Sequence, residues 1–108
     1  MPAWLLLIGA IVMEVVGTTA LKLSAGFTRF WPSATVVVAY LLAFIALGFV
    51  LKRMDVSVAY AIWAGLGTAL VAVIGVVYFG EAMNWLKAAS LGLIVIGLVG
   101  LNLAARSA

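Results

Sequence analysis

A-W-L-L-L-I-G-A-I-V-M-E-V-V-G-T-T-A-L, residues 3–21, is the stretch that decides the fold. Apart from Glu14 near its middle, every residue in it is apolar, glycine or threonine. A helix that crosses a bilayer needs about 20 predominantly apolar residues, within a range of about 17–25. Three further runs, 30–51, 56–80 and 88–105, meet that requirement and carry no charge at all. The charges fall between them: Lys22 and Arg29 bracket the first break, Lys52, Arg53 and Asp55 the second, Glu81 and Lys87 the third, and Arg106 closes the last run. Of the 108 residues, 69% are hydrophobic and 8% charged. A soluble domain of this size has too little interior to hide so much apolar surface, so the solvent must be lipid. The expected fold is an all-α membrane protein, a single four-helix transmembrane domain over residues 1–108.

The helices are expected at about 4–21, 32–51, 57–79 and 87–105. Loops of ten residues or fewer make consecutive helices antiparallel neighbours. Gly26 falls in the first turn, and Pro32 suits the first position of the second helix, where its missing N–H would be unpaired anyway. Gly80 is expected to cap the C-terminus of helix 3 and Asn84 the N-terminus of helix 4. The first run is not a cleavable signal peptide, because no basic segment precedes it and Glu14 interrupts it. Cysteine and histidine are both absent, which excludes a disulfide framework and Cys/His metal or thiol chemistry. No catalytic, metal or cofactor site is expected. The net charge of +3 resides on six basic residues at segment ends, a pattern of membrane-surface contact rather than nucleic-acid binding.

Orientation in the membrane is balanced. With four helices, both termini and the middle loop lie on one side, with Lys52, Arg53 and Arg106; Lys22, Arg29 and Lys87 lie on the other. The positive-inside rule acts through the difference in Lys and Arg, and here the two sides carry equal numbers. The chain is therefore expected to insert both ways. Two copies could pair head to tail as an antiparallel, dual-topology homodimer, reproducing with separate chains the inverted repeat that many transporters carry within one.

Glu14 is costly in such a setting, because a charged side chain at the bilayer centre costs about 2.5–3.5 kcal/mol on insertion scales. Residues three, four and seven positions away share its helical face: Leu7, Ala10, Ile11, Gly17, Thr18 and Leu21. Ala10 and Gly17 leave room beside the carboxyl, and Thr18 can donate a hydrogen bond to it. Burial disfavours the charged form of an acid. Glu14 is thus expected to hold a proton at ambient pH and surrender it to an incoming cation, so that proton and cation compete for one group.

Trp4, Trp31, Tyr78 and Trp85 lie at span ends and read as interfacial anchors. Tyr40 and Trp63 lie deeper; Tyr60 shares a face with Trp63 and Gly67, while Tyr40, Phe44 and Leu47 form an i, i+4, i+7 stripe on helix 2. Aromatic faces attract cations, most strongly where water is excluded. With a lone acid and no basic residue in any span, Ala10, Gly17, Thr18, Tyr40, Phe44, Leu47, Tyr60 and Trp63 are expected to line a site for a lipophilic cation. Gly65 and Gly67 sit in mid-span on helix 3, as a packing notch or a hinge. On helix 4, Ser90, Gly97 and Ala104 recur every seven residues with Gly100 close to the same face, the spacing of a helix–helix dimer contact.

Four stretches carry a family resemblance: M-E-V-V-G-T-T-A-L-K at 13–22, G-F-T-R-F-W-P-S at 26–33, A-Y-A-I-W-A-G-L-G at 59–67 and the C-terminal L-N-L-A-A-R-S. Over essentially its full length the chain resembles the small multidrug resistance transporters of bacterial cytoplasmic (inner) membranes. The resemblance implies an antiparallel homodimer that exports lipophilic and quaternary ammonium cations in exchange for protons. It gives Glu14 the shared proton and substrate site, Tyr40, Tyr60 and Trp63 the pocket walls, and helix 4 the dimer contact. Gly17 and Thr18 after the acid are similar to the drug-exporting subtype, whereas guanidinium exporters of the family usually carry a Trp close after it. The chain departs from the family pattern at Ala43, where a serine is frequent, at Ser90, where glycine is frequent, and at Asp55, where proline is frequent. The alternatives to a multidrug exporter are a guanidinium exporter, a non-transporting proteolipid subunit with one essential carboxylate, and one half of a heteromeric pair.

Overall fold

The computed structural model describes residues 2–107, with side chains from Pro2 through Ala104. Arg106, which enters the charge balance above, lies outside the described side chains. Four helices follow in order: α1 (Ala3–Leu23), α2 (Phe30–Val50), α3 (Val56–Val77) and α4 (Trp85–Ser107). Each is long and apolar enough to cross a membrane. At about 1.5 Å per residue, helices of this length match the roughly 30 Å hydrocarbon core. The chain divides into two compact units at the boundary between Met54 and Asp55. One is the hairpin of α1 and α2, the other the hairpin of α3 and α4.

In the first unit, α1 buries Leu7, Ala10, Ile11, Val15, Gly17 and Ala20. The buried stripe of α2 is Val36, Ala39, Ala43 and Val50. Alanine and glycine on these stripes bring two backbones close, the usual basis of helix association where lipid removes the hydrophobic drive. Val37, Val38, Leu41, Leu42 and Ile45 point outward, as they should in hydrocarbon. The connecting turn holds more structure than a single glycine. Ala25, Gly26 and Phe27 adopt φ of 49°, 72° and 65°, three successive residues in the left-handed region. Pro32 stands two residues inside α2, whose N-cap is Arg29. Its missing N–H still falls in the first turn, where no intrahelical partner exists.

The second unit is packed more lightly. α3 buries Ala59, Gly65, Gly67, Ala72 and Gly75, whereas no residue of α4 between Trp85 and Ala104 is buried. Leu98 of α4 sits on Gly65, so that a Cβ at Gly65 would lie 2.7 Å from Leu98 Cδ1. Gly65 is thus a notch for an α4 side chain. Gly65→Ala is expected to cost about 1–3 kcal/mol by overpacking. Thermal unfolding in detergent should show it, and Leu98→Ala in the same chain should recover most of the loss.

Helix α3 ends at Val77 with Tyr78 as C-cap, two residues short of the predicted end. Gly80 takes φ 68° in the turn that follows. Glu81 folds back over Gly75, its N–H donating to the Gly75 carbonyl at 2.9 Å. Lys87 Nζ lies 4.0 Å from Glu81 Oε1 and donates to the Ala82 carbonyl at 3.3 Å. The two charges that bound the third break therefore meet across it. Asn84 caps α4 as expected, its Oδ1 accepting from the Lys87 N–H at 2.8 Å.

Candidate functional site

Glu14 lies on α1 one turn before Gly17 and Thr18. Its Oε2 is buried and has no hydrogen-bond partner among the described residues. Thr18 stands beside the carboxyl. The neighbouring threonine does something else: Thr19 Oγ1 donates to the Val15 carbonyl at 2.8 Å and is absorbed by its own helix. Thr18 is the hydroxyl left to face across the hairpin, and its Oγ1 is hydrogen-bonded to Tyr40 Oη of α2 at 2.8 Å.

The ring of Tyr40 reaches that position because residue 17 is glycine. A Cβ there would lie 2.5 Å from Tyr40 Cε1 and 2.6 Å from Cδ1. Gly17 is therefore the seat of the Tyr40 ring as well as a small residue beside the acid. Ala43, one turn after Ala39 on the buried stripe of α2, is fully buried and has no side-chain donor to offer. The first unit thus brings together an acid with an unsatisfied oxygen, a threonine hydroxyl and a phenol.

Ala10 is buried on α1, and Phe44 is exposed on α2 with its ring edge-on to Tyr40 at 6.5 Å between centroids. Leu47 is half-buried one turn further on. Tyr60 and Trp63 belong to the second unit, on α3, Tyr60 exposed and Trp63 half-buried. Gly65 and Gly67 are buried within an unbroken α3. On α4, Ser90, Gly97, Gly100 and Ala104 are all exposed. A Cβ at Gly97 or Gly100 would meet nothing within 4 Å. Ser90 Oγ is turned to its own helix, donating to the Leu86 carbonyl at 2.8 Å. Among the described residues no cluster of metal-ligating side chains occurs.

One contact escaped the sequence reading, which gave Thr18 to Glu14 alone. Its signal was the Gly-Thr pair at 17 and 18, a smooth seat followed by a hydroxyl, which suits an aromatic alcohol on the facing helix.

The fold defines a small multi-pass membrane protein with a carboxyl group near the middle of its first span. Comparison with known proteins makes this specific. The profile of the family described as Small Multidrug Resistance protein matches residues 2–94. The multidrug resistance protein EbrB of Bacillus subtilis is 52% identical over 93 residues, covering 86% of this chain and 80% of EbrB. The quaternary ammonium compound-resistance protein QacE of Escherichia coli is 45% identical over 107 residues, covering 99% of this chain and 97% of QacE. A guanidinium exporter of Escherichia coli is 40% identical over 101 residues, covering 94% and 96%. The chain belongs to the Small Multidrug Resistance family and is a multi-pass protein of the bacterial inner membrane.

Proposed function

We propose that this protein is a proton-coupled antiporter that exports lipophilic and quaternary ammonium cations. The observation that carries the reading is the buried, unpartnered Oε2 of Glu14, set beside the Thr18–Tyr40 pair. A carboxyl oxygen without a donor is costly to hold in the charged form inside a membrane. A proton relieves that cost, and so does a bound cation. The two occupants exclude each other, and this exclusion is the coupling. Its similarity to EbrB and QacE supports the choice of cargo.

In this account two copies of the chain pair antiparallel. Tyr40, Tyr60 and Trp63 present aromatic faces to the cation, with Ala10, Gly17, Thr18, Phe44 and Leu47 completing the walls. The exposed small-residue stripe of α4, Ser90, Gly97, Gly100 and Ala104, is the dimer contact, and Gly65 with Gly67 is the hinge of α3. Protonated Glu14 faces outward, releases its proton inward and takes a cation, and the dimer changes access. Antiparallel pairing makes the inward- and outward-facing forms equivalent by symmetry, so neither needs separate stabilisation.

A second reading, guanidinium export, draws support from the similarity to the guanidinium exporter. The residues around Glu14 favour the first. Val15 and Val16 follow the acid and Ala43 faces the hairpin core, leaving few hydrogen-bond acceptors for the many N–H donors of a small planar guanidinium. Proteoliposomes holding the purified protein decide the matter. A bulky phosphonium or quaternary ammonium is expected to be taken up against an outward proton flux, with guanidinium moving little. Proton movement with guanidinium alone would contradict the proposal.

A further inference from the structure

Ser24 is fully buried although it lies in a loop. Every polar atom it owns is used. Its N–H donates to the Ala20 carbonyl at 2.8 Å, and its Oγ donates to the Leu21 carbonyl at 2.7 Å. The same Oγ accepts the Phe27 N–H at 3.0 Å. Its carbonyl accepts the N–H groups of Thr28 and Arg29 at 2.9 and 3.1 Å and the Thr28 hydroxyl at 3.2 Å. One residue therefore ties the last turn of α1 to the entry of α2.

What these bonds enclose is strained. Ala25 and Phe27 flank Gly26, and all three are left-handed, a conformation that disfavours every side chain with a Cβ. Such strain persists only where the surroundings over-determine it, and it runs with function more often than chance. The turn also has an identifiable task. Gly17 and Thr18 precede Ser24 by seven and six residues, and Tyr40 follows it by sixteen. A slip of α2 by one residue would move Tyr40 by about 1.5 Å along the helix and turn it by about 100°. Neither the seat on Gly17 nor the 2.8 Å bond to Thr18 would survive that slip.

We infer that Ser24 is a positioning residue for the cation site: its hydroxyl holds the left-handed turn that sets the register of α2 on α1 and thereby delivers Tyr40 to Gly17 and Thr18. The inference rests on the reading of Tyr40 as a wall of that site. It acts through geometry alone, and Ser24 itself touches no cargo.

The test is carbon-13 NMR of the full-length protein in lipid, labelled at the ring carbon that bears the hydroxyl of its three tyrosines. Tyr40→Phe assigns the Tyr40 signal, and Thr18→Val gives its position when the hydrogen bond is lost. Ser24→Ala is expected to move the Tyr40 signal toward the Thr18→Val position while Tyr60 and Tyr78 stay in place. Gly26→Val provides a second variant, since a Cβ there would meet nothing within 4 Å and the positive φ is what opposes the substitution. It should move the same signal the same way, and it decides the matter alone if Ser24→Ala does not fold. A Tyr40 signal that keeps its wild-type position in the folded variants overturns the inference. Binding of tetraphenylphosphonium to the same samples reports separately on the pocket. A wild-type protein that failed to bind it would refute the reading of Tyr40 as a pocket wall and leave the register result standing.

Discussion

Replacing Glu14 by glutamine is expected to abolish proton-coupled exchange, leaving flux at the level of protein-free vesicles. Glutamine keeps the volume of the side chain and can still meet Thr18, so the hairpin should fold and purify as before. It removes the negative charge and the titratable proton together. A cation about 4 Å from a carboxylate gains roughly 4 kcal/mol at an effective dielectric of about 20. Losing that attraction corresponds to about a thousandfold weaker binding. Uptake of a labelled quaternary ammonium into proteoliposomes under a pH gradient measures the effect. Residual cation uptake that still responds to the gradient would mean that coupling resides elsewhere.

Gly17→Ala is the second large effect, and it should weaken cation binding. The added methyl would fall 2.5 Å from Tyr40 Cε1, so the ring must move. Ring movement breaks the hydrogen bond to Thr18 and withdraws an aromatic face from the site. Overpacking of this kind costs about 1–3 kcal/mol, which corresponds to roughly 5- to 150-fold in affinity if it falls on the bound state. The expected outcome is weaker phosphonium binding, read by equilibrium dialysis, in a protein whose melting temperature is also lowered by the overpacking. Unchanged affinity would show that Tyr40 takes no part in holding the cation.

Both effects depend on features of unequal legibility. The four spans are written in composition, because a charge-free run of about 20 residues has few other fates. Their ends are not. α1 continues to Leu23 and α2 begins at Phe30, since at the interface capping and turn geometry rather than hydropathy decide where a helix stops. Glu14 announces itself as the one charge within the apolar runs, and the aromatic and small residues around it follow from helical spacing. The partner of Thr18 does not, because it depends on how far α2 is slid along α1. That register is held by a turn whose left-handed residues include Ala25 and Phe27, neither of them a turn former. Ser24 is hidden for a similar reason. Serine is common in exposed loops, so nothing in the letters marks it as the one buried polar residue among those described.

Competition between proton and cargo for one carboxyl group is the central claim, and proton release from the purified protein tests it most directly. Tetraphenylphosphonium added to weakly buffered, detergent-solubilised protein should release protons from the wild type. The release should shrink as pH rises and the acid is already empty, and Glu14→Gln should show none. Binding of the phosphonium without any proton release across the pH range would contradict the account.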